Sequence, residues 1–355
     1  MHGLLHLPLP SLISLHVYFE KSPWFWDSLD LTLHGGPPPD ATSLSFSIRI
    51  CQWQNLETVV CPEVALDVAA LTHLAHMPTL TRLAFAVMAK PLTFNSPLIF
   101  SNLHDLTLRS HALHPIPRLF TWIRLPAITD LSVLIDNSLS GEELSSFFAS
   151  VQTSGMGHII QGLWLSQLTS RYDERNPLAF QIYLDSLWPC MAFSDLRCIN
   201  LIIDWDVFLT DSDMLTLASA WPHLESLFIN LDWGWNTGGG ITPDGLLKLL
   251  QACPSLSRVG VPIDTQGYTE CIGSPGSLGL TSSRTFYINV LDSVIAVESV
   301  PAIAAYFANI ALCCRLCLTA WNSWVMALED PTREVYMNRW GDVLRQLGGA
   351  IGRHP

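Results

Sequence analysis

This 355-residue sequence predicts an α/β architecture of stacked strand–helix units. Three observations carry that expectation. A short strand-like frame recurs along most of the chain, the apolar spacing between copies becomes helical, and no break in composition marks a second domain. The frame is plainest where "FSDLRCINLIIDW" (193–205) is set beside "WPHLESLFINLDW" (221–233). Each runs apolar, Ser or Pro, any residue, Leu, two variable residues, aliphatic, one residue, aliphatic. The same frame recurs as "LPSLISLHV" (9–17), "WQNLETVVC" (53–61), "MPTLTRLAF" (77–85), "FSNLHDLTL" (100–108), "LPAITDLSV" (125–133) and "CPSLSRVGV" (253–261). A weaker copy, "HIIQGLWL", lies at 158–165.

The first Leu or Ile of each copy serves as an anchor: Leu12, Leu56, Leu80, Leu103, Ile128, Ile160, Leu196, Leu224 and Leu256. Most gaps between anchors fall between 23 and 36 residues, and the wider first gap has room for a copy at "WDSLDLTL" (26–33). Such spacing is the mark of a solenoid, and Leu-x-x-Leu-x-Leu is the strand segment of a leucine-rich repeat. Alternate aliphatic residues face one side of a strand and the variable ones the other. One strand cannot bury its apolar row alone, so neighbours stack into a continuous core. The expected fold is one leucine-rich-repeat solenoid over 1–320, a curved parallel sheet with helices on the convex side. Strands are expected near 12–17, 56–61, 80–85, 103–108, 128–133, 160–165, 196–203, 224–231, 256–261 and 286–290. A capping segment, 321–355, would follow, with an amphipathic helix near 332–347.

The helices announce themselves by their caps. "SGEELSSFFASV" places Glu143 three residues after Ser140, a capping box, before an apolar stripe of Leu144, Phe147, Phe148 and Val151. "TDSDMLTLASAW" repeats the scheme with Thr210 and Asp213, and "TPDGLLKLLQAC" has Thr242 as cap with Pro243 at the first turn. "RTFYINVLDS" and "LCCRLCLTAW" read as further strands flanking a helix at about 298–312. Early copies are shorter, with weaker helix signals.

Composition narrows the function. Net charge is −13 and no Lys/Arg cluster offsets it, which argues against nucleic acid and anionic membrane surfaces as partners. Nine cysteines lie scattered without a disulfide framework, no Asn-x-Ser/Thr sequon occurs, and the apolar run from Val300 to Cys314 is too short to span a bilayer. These features fit an intracellular setting, cytoplasmic or nuclear. No nucleophile elbow, His-Glu-x-x-His pair, Walker loop or dinucleotide fingerprint is present. Cys314-x-x-Cys317 lacks a second ligand pair for zinc. The expectation is a non-enzymatic chain with no cofactor and no metal; an enzyme would need geometry that the sequence does not display.

Eight residues after the anchor stand Asp136, Asp204, Asp232 and Asp264. Asp there either accepts turn N–H groups or forms an acidic edge for a basic partner, and the sequence leaves both open. The variable strand positions are expected on the open face, where a protein partner would bind: Arg82, His104, Asp105, Asp130, Trp164, Arg197, Asn200, Glu225, Phe228, Asn230 and Arg258. Trp233 and Trp235, after their strand, are added as aromatic contacts.

The units "FSNLHDLTL", "DSDMLTLASAWPHLESLFI" and "ITPDGLLKLLQACPSLSRVGVPID", with the terminal "AWNSW", resemble the repeat region of fungal F-box/leucine-rich-repeat proteins over nearly the whole chain. The resemblance implies that the repeats hold a protein substrate for a ubiquitin ligase. The chain opens directly in a repeat, with no Leu-Pro-x-Glu helix cluster before it, so cullin–RING ligase components are expected partners only if an F-box precedes Met1. The rival expectation is a leucine-rich-repeat scaffold unrelated to ubiquitin transfer.

Overall fold

A computed structural model describes residues 13–17, 41–90, 92–137, 139–168, 181–235, 240–268, 285–320 and 332–351. The chain groups into two compact units, one of 1–139, 146–163 and 167–169, the other of 140–145, 164–166 and 170–355. The first contains β1 (Ser14–His16), α1 (Ala41–Ile50), β2 (Thr58–Ala65), α2 (Val68–Ala75), β3 (Arg82–Val87), β4 (Leu98–Ile99), β5 (Asp105–Ser110), α3 (Pro115–Phe120), β6 (Ile123–Arg124) and β7 (Asp130–Ile135). Next come α4 (Gly141–Thr153) and β8 (Gly162–Gln167), which contribute residues to both. The second contains β9 (Gln181–Ile182), α5 (Leu184–Leu187), β10 (Cys198–Ile202), β11 (Asp206–Val207), α6 (Asp211–Ala220), β12 (Ser226–Ile229) and α7 (Pro243–Ala252). It ends with β13 (Arg258–Gly260), β14 (Thr285–Asn289), α8 (Val300–Cys313), β15 (Arg315–Thr319) and α9 (Thr332–Ile351). The protein is thus α/β, with a sheet of eleven strands in the order β1-β2-β3-β5-β7-β8-β10-β12-β13-β14-β15 that does not close on itself. Within each unit these neighbouring strands pair in parallel: β1-β2-β3-β5-β7 in the first and β10-β12-β13-β14-β15 in the second. Among the described residues no helix is long and apolar enough to cross a membrane.

Alternation explains the strands. In β5 Leu106, Leu108 and Ser110 are buried while Asp105, Thr107 and Arg109 are half-buried, and β7 repeats the pattern with Leu131, Val133 and Ile135 inside. The strands begin two residues after the anchors, as β5 does at Asp105 after Leu103. The anchor belongs to the corner instead. Leu56, Leu103, Ile128, Ile160, Leu196, Leu224 and Leu256 have no exposed surface, and Leu80 almost none. Just beyond most of these anchors one carbonyl of the preceding repeat takes two N–H donors. Thr81 O accepts from His104 and Asp105, His104 O from Thr129 and Asp130, and Glu225 O from Ser257 and Arg258. This fork turns the chain into the strand and satisfies two amides that would otherwise be buried unpaired. In β2, Pro62 has no amide to give, and the register to β3 shifts between Cys61 and Ala65, as a bulge allows.

The helices start where their caps predict. Ser140 Oγ accepts the Glu143 amide and Glu143 Oε2 accepts the Ser140 amide, at 3.2 and 2.8 Å. Thr210 and Asp213 make the same reciprocal box at α6, and Thr242 Oγ1 accepts the Gly245 amide at α7. Asp211, in the first turn of α6, accepts both the amide and the hydroxyl of Thr242. Helix α6 therefore helps to cap α7. Three helices carried little signal in the sequence. One is α2, capped by Asp67 through the Ala70 amide; another is α3, which Pro115 opens without a side-chain cap; the third is α1. The expected copy at 26–33 lies outside the described residues. Helix α9 is tied to the second unit by Trp340, whose indole N–H donates to Ser293 O at 2.9 Å, and by Arg339, which donates to Ile295 O.

Candidate functional site

Because the strands are parallel and in register, residues from successive strands fall into lateral rows at about 4.8 Å spacing. In the first unit one row runs Ser14, Thr58, Arg82, Asp105, Asp130. Arg82 Nε donates to Asp105 Oδ2 at 2.6 Å, with Arg82 about half exposed. Burial pushes the Asp105 carboxyl up from its ordinary value, Arg82 pulls it back, and Asp130 beside it adds to the rise. The Thr129 hydroxyl donates to Asp130 Oδ2 at 2.7 Å. His104, exposed at the head of β5, bonds through Nδ1 to Ala127 O. The next row, His16, Val60, Ala84, Thr107, Ser132, carries smaller side chains. Burial, then the charge of Arg82, lowers the His16 pKa. One row further, Arg109 reaches Glu63 at 2.7 Å and Asp136 at 3.0 Å.

In the second unit the corresponding row is Cys198, Ser226, Arg258, Tyr287, Cys317, and beyond it Asn200, Phe228, Gly260, Asn289, Thr319. Arg197 and Glu225 pair at 2.9 Å at the head of the face, both well exposed. Phe228 lies across Gly260: a Cβ placed at 260 would stand 2.6 Å from its ring. Glycine there is what lets the aromatic lie flat against the neighbouring strand. Trp164, in β8, is half-buried. Arg258 and Tyr287 are exposed, Tyr287 at 53%.

Two residues expected on the open face are not there. Asn230 has no exposed surface and holds φ +58°, the left-handed region that Asn tolerates better than most residues. Its amide donates to Leu201 O, its Nδ2 to Trp205 O at 2.7 Å, and its Oδ1 accepts from the Ile203 amide at 2.9 Å. It fastens the end of β12 to the end of β10. Trp235 is 1% exposed, its indole N–H donating to Ile229 O and its amide to Asp292 Oδ1. Alternation ends with the strand, so extending it to 230 misplaced Asn230, and Trp235, expected as an aromatic contact after the strand, is buried instead. Trp233 is half-buried, and its Nε1 has no hydrogen-bond partner among the described residues.

The four aspartates after the anchors divide. Asp136 pairs with Arg109. Asp264 accepts the Gln266 amide, a turn-forming bond. Asp204 is buried, and burial raises the Asp232 carboxyl. Asp206 is raised too, by burial first and then by the charges of Asp204 and Asp292. Sequence reasoning missed Arg109, Glu63, Tyr287 and Arg315. Counting on by twos from Asp105 would have found Arg109, since alternation puts it on the same face.

Among the described residues no group of three or more His, Cys, Asp or Glu is placed to hold a metal ion. Cys314 is buried with its thiol on Ile310 O, whereas Cys317 is exposed in β15. Burial pushes Cys253 up to about 11 and raises Cys61 and Cys190 further, so these thiols stay protonated and unreactive. No family model matches the chain, and no curated protein matches it.

Proposed function

We propose that this chain is a leucine-rich-repeat solenoid that binds a protein partner through the exposed face of its strands, without catalysis. One observation supports this most: the in-register rows, in which neighbouring strands hold Arg82, Asp105 and Asp130 in one unit and Arg258, Tyr287 and Cys317 in the other at fixed lateral spacing. Side chains of mixed sign and size on a rigid backbone suit a protein surface, which loses little conformational entropy on binding. The resemblance of the repeats to fungal F-box proteins extends the proposal: the partner is a substrate presented to a cullin–RING ligase, if an F-box lies upstream. A scaffold unrelated to ubiquitin transfer is the rival. Affinity capture with the wild-type chain and with variants Arg197→Glu and Phe228→Ala, read by mass spectrometry, tests it. A partner lost in both variants supports face binding. Capture indifferent to both contradicts it. Cullin–RING subunits among the captured proteins favour the ligase reading over the scaffold.

A further inference from the structure

The β13–β15 part of the exposed face differs in charge from the strand rows around Arg82, Arg109 and Arg197. The chain carries −13 overall, and in the first unit the guanidinium of Arg82 is taken by Asp105 while Arg109 is taken by Glu63 and Asp136. Arg197 is taken by Glu225. At β13–β15 the pattern breaks. Arg258 and Arg315 are both exposed, and among the described residues neither makes an ion pair.

Register places the two arginines around an aromatic. Tyr287 sits between Arg258 on β13 and Cys317 on β15, and Arg315 pairs with Thr285 one step toward the strand heads. Carboxylates of these segments lie at the opposite, C-terminal ends and are engaged there: Asp264 with the Gln266 amide and Asp292 with the Trp235 amide. The strand heads therefore present two unneutralised guanidinium groups astride an exposed phenol ring. A guanidinium offers a planar fork of donors that a carboxylate matches, and an exposed ring supplies apolar contact between such sites.

We propose that the β13–β15 end of the face docks an acidic peptide segment of a partner protein, Arg258 and Arg315 receiving its carboxylates and Tyr287 packing against an apolar residue between them. This rests on the face-binding reading above and specifies its partner.

The test is fluorescence anisotropy with the full chain and a fluorescein-labelled Glu-Glu-Leu-Glu-Glu-Phe peptide, against the same peptide with Lys for each Glu. The acidic peptide binds, the basic one does not, and added salt weakens binding. Arg258→Glu with Arg315→Glu lowers affinity about tenfold or more, as loss of two charge-assisted contacts requires. The milder Arg258→Gln with Arg315→Gln lowers it less, and Tyr287→Ala lowers it several-fold. Lys248→Glu, a charge reversal on the exposed side of α7 away from the strands, leaves it unchanged. Because these side chains are exposed, circular dichroism of every variant matches wild type. Equal binding of the two peptides, or an acidic peptide indifferent to both arginine pairs, overturns the proposal. If the peptide fails while Arg197→Glu and Phe228→Ala still lose their captured partner, face binding stands and only this assignment falls.

Discussion

Replacing Asn230 by Ala separates a structural role from a binding one. The side chain joins Ile203 N and Trp205 O in a site without solvent, so its removal leaves one buried donor and one buried acceptor unpaired. Each unpaired group costs about 1–3 kcal/mol. Alanine must also hold φ +58°, which adds about 1 kcal/mol. The sum is about 3–7 kcal/mol. With a urea slope near 3 kcal/mol per molar for a chain of this size, the unfolding midpoint drops by roughly 1–2 M. Asn230→Gly relieves the backbone but not the lost bonds, so it falls short of wild type by about 2–6 kcal/mol. Tryptophan fluorescence and far-UV circular dichroism in urea read the shift, and hydrogen exchange at the Ile203 amide reads its place. A variant with unchanged stability and lost partner capture would refute the structural role and return Asn230 to the binding face.

Leu224→Ala, at a corner with no exposed surface, costs about 2–5 kcal/mol in the same assay. Arg109→Met removes the cation shared by Glu63 and Asp136 and costs about 1–3 kcal/mol in urea unfolding. Asp206→Asn has a pH-dependent sign. Burial and two neighbouring carboxylates raise the folded pKa, so Asp206 favours folding below the ordinary carboxylate range, and that contribution is lost as pH rises through the raised value. Asparagine therefore raises the thermal midpoint at neutral pH, modestly because solvent screens the partly exposed group, and gives no gain in acid. Gly260→Ala drives the Phe228 ring off its neighbour; the ring can swing toward solvent, so stability falls by only about 1 kcal/mol, while partner capture weakens.

The parallel sheet was legible because it is local and repeated. Period-two burial in segments such as Leu106–Leu108 and Leu131–Val133 is visible without any long-range knowledge. Helix starts at Ser140, Thr210 and Thr242 were legible for the same reason, since a cap and its N3 partner are three residues apart. What eluded the sequence depends on contacts made across repeats. Asn230 reads as one more variable position until its backbone turns left-handed and its amide finds Ile203 and Trp205. Arg109 gains meaning only from Glu63 of β2 and Asp136 just after β7, which the fold brings to it. Pro115 and Pro117 read as loop, yet Pro115 opens α3, where a missing amide costs nothing.

The central claim is that outward residues of successive parallel strands lie side by side in a fixed register, and a thiol pair measures it directly. Tyr287 neighbours exposed Cys317 across β14–β15. In Tyr287→Cys, dibromobimane, fluorescent once both its arms have reacted, should join position 287 to Cys317, with peptide mapping confirming the link and Cys317→Ser abolishing it. Arg258→Cys, two strands from Cys317 at roughly 10 Å, should give no such link. A 258–317 product, or none at 287, would contradict the stacking on which every surface assignment rests.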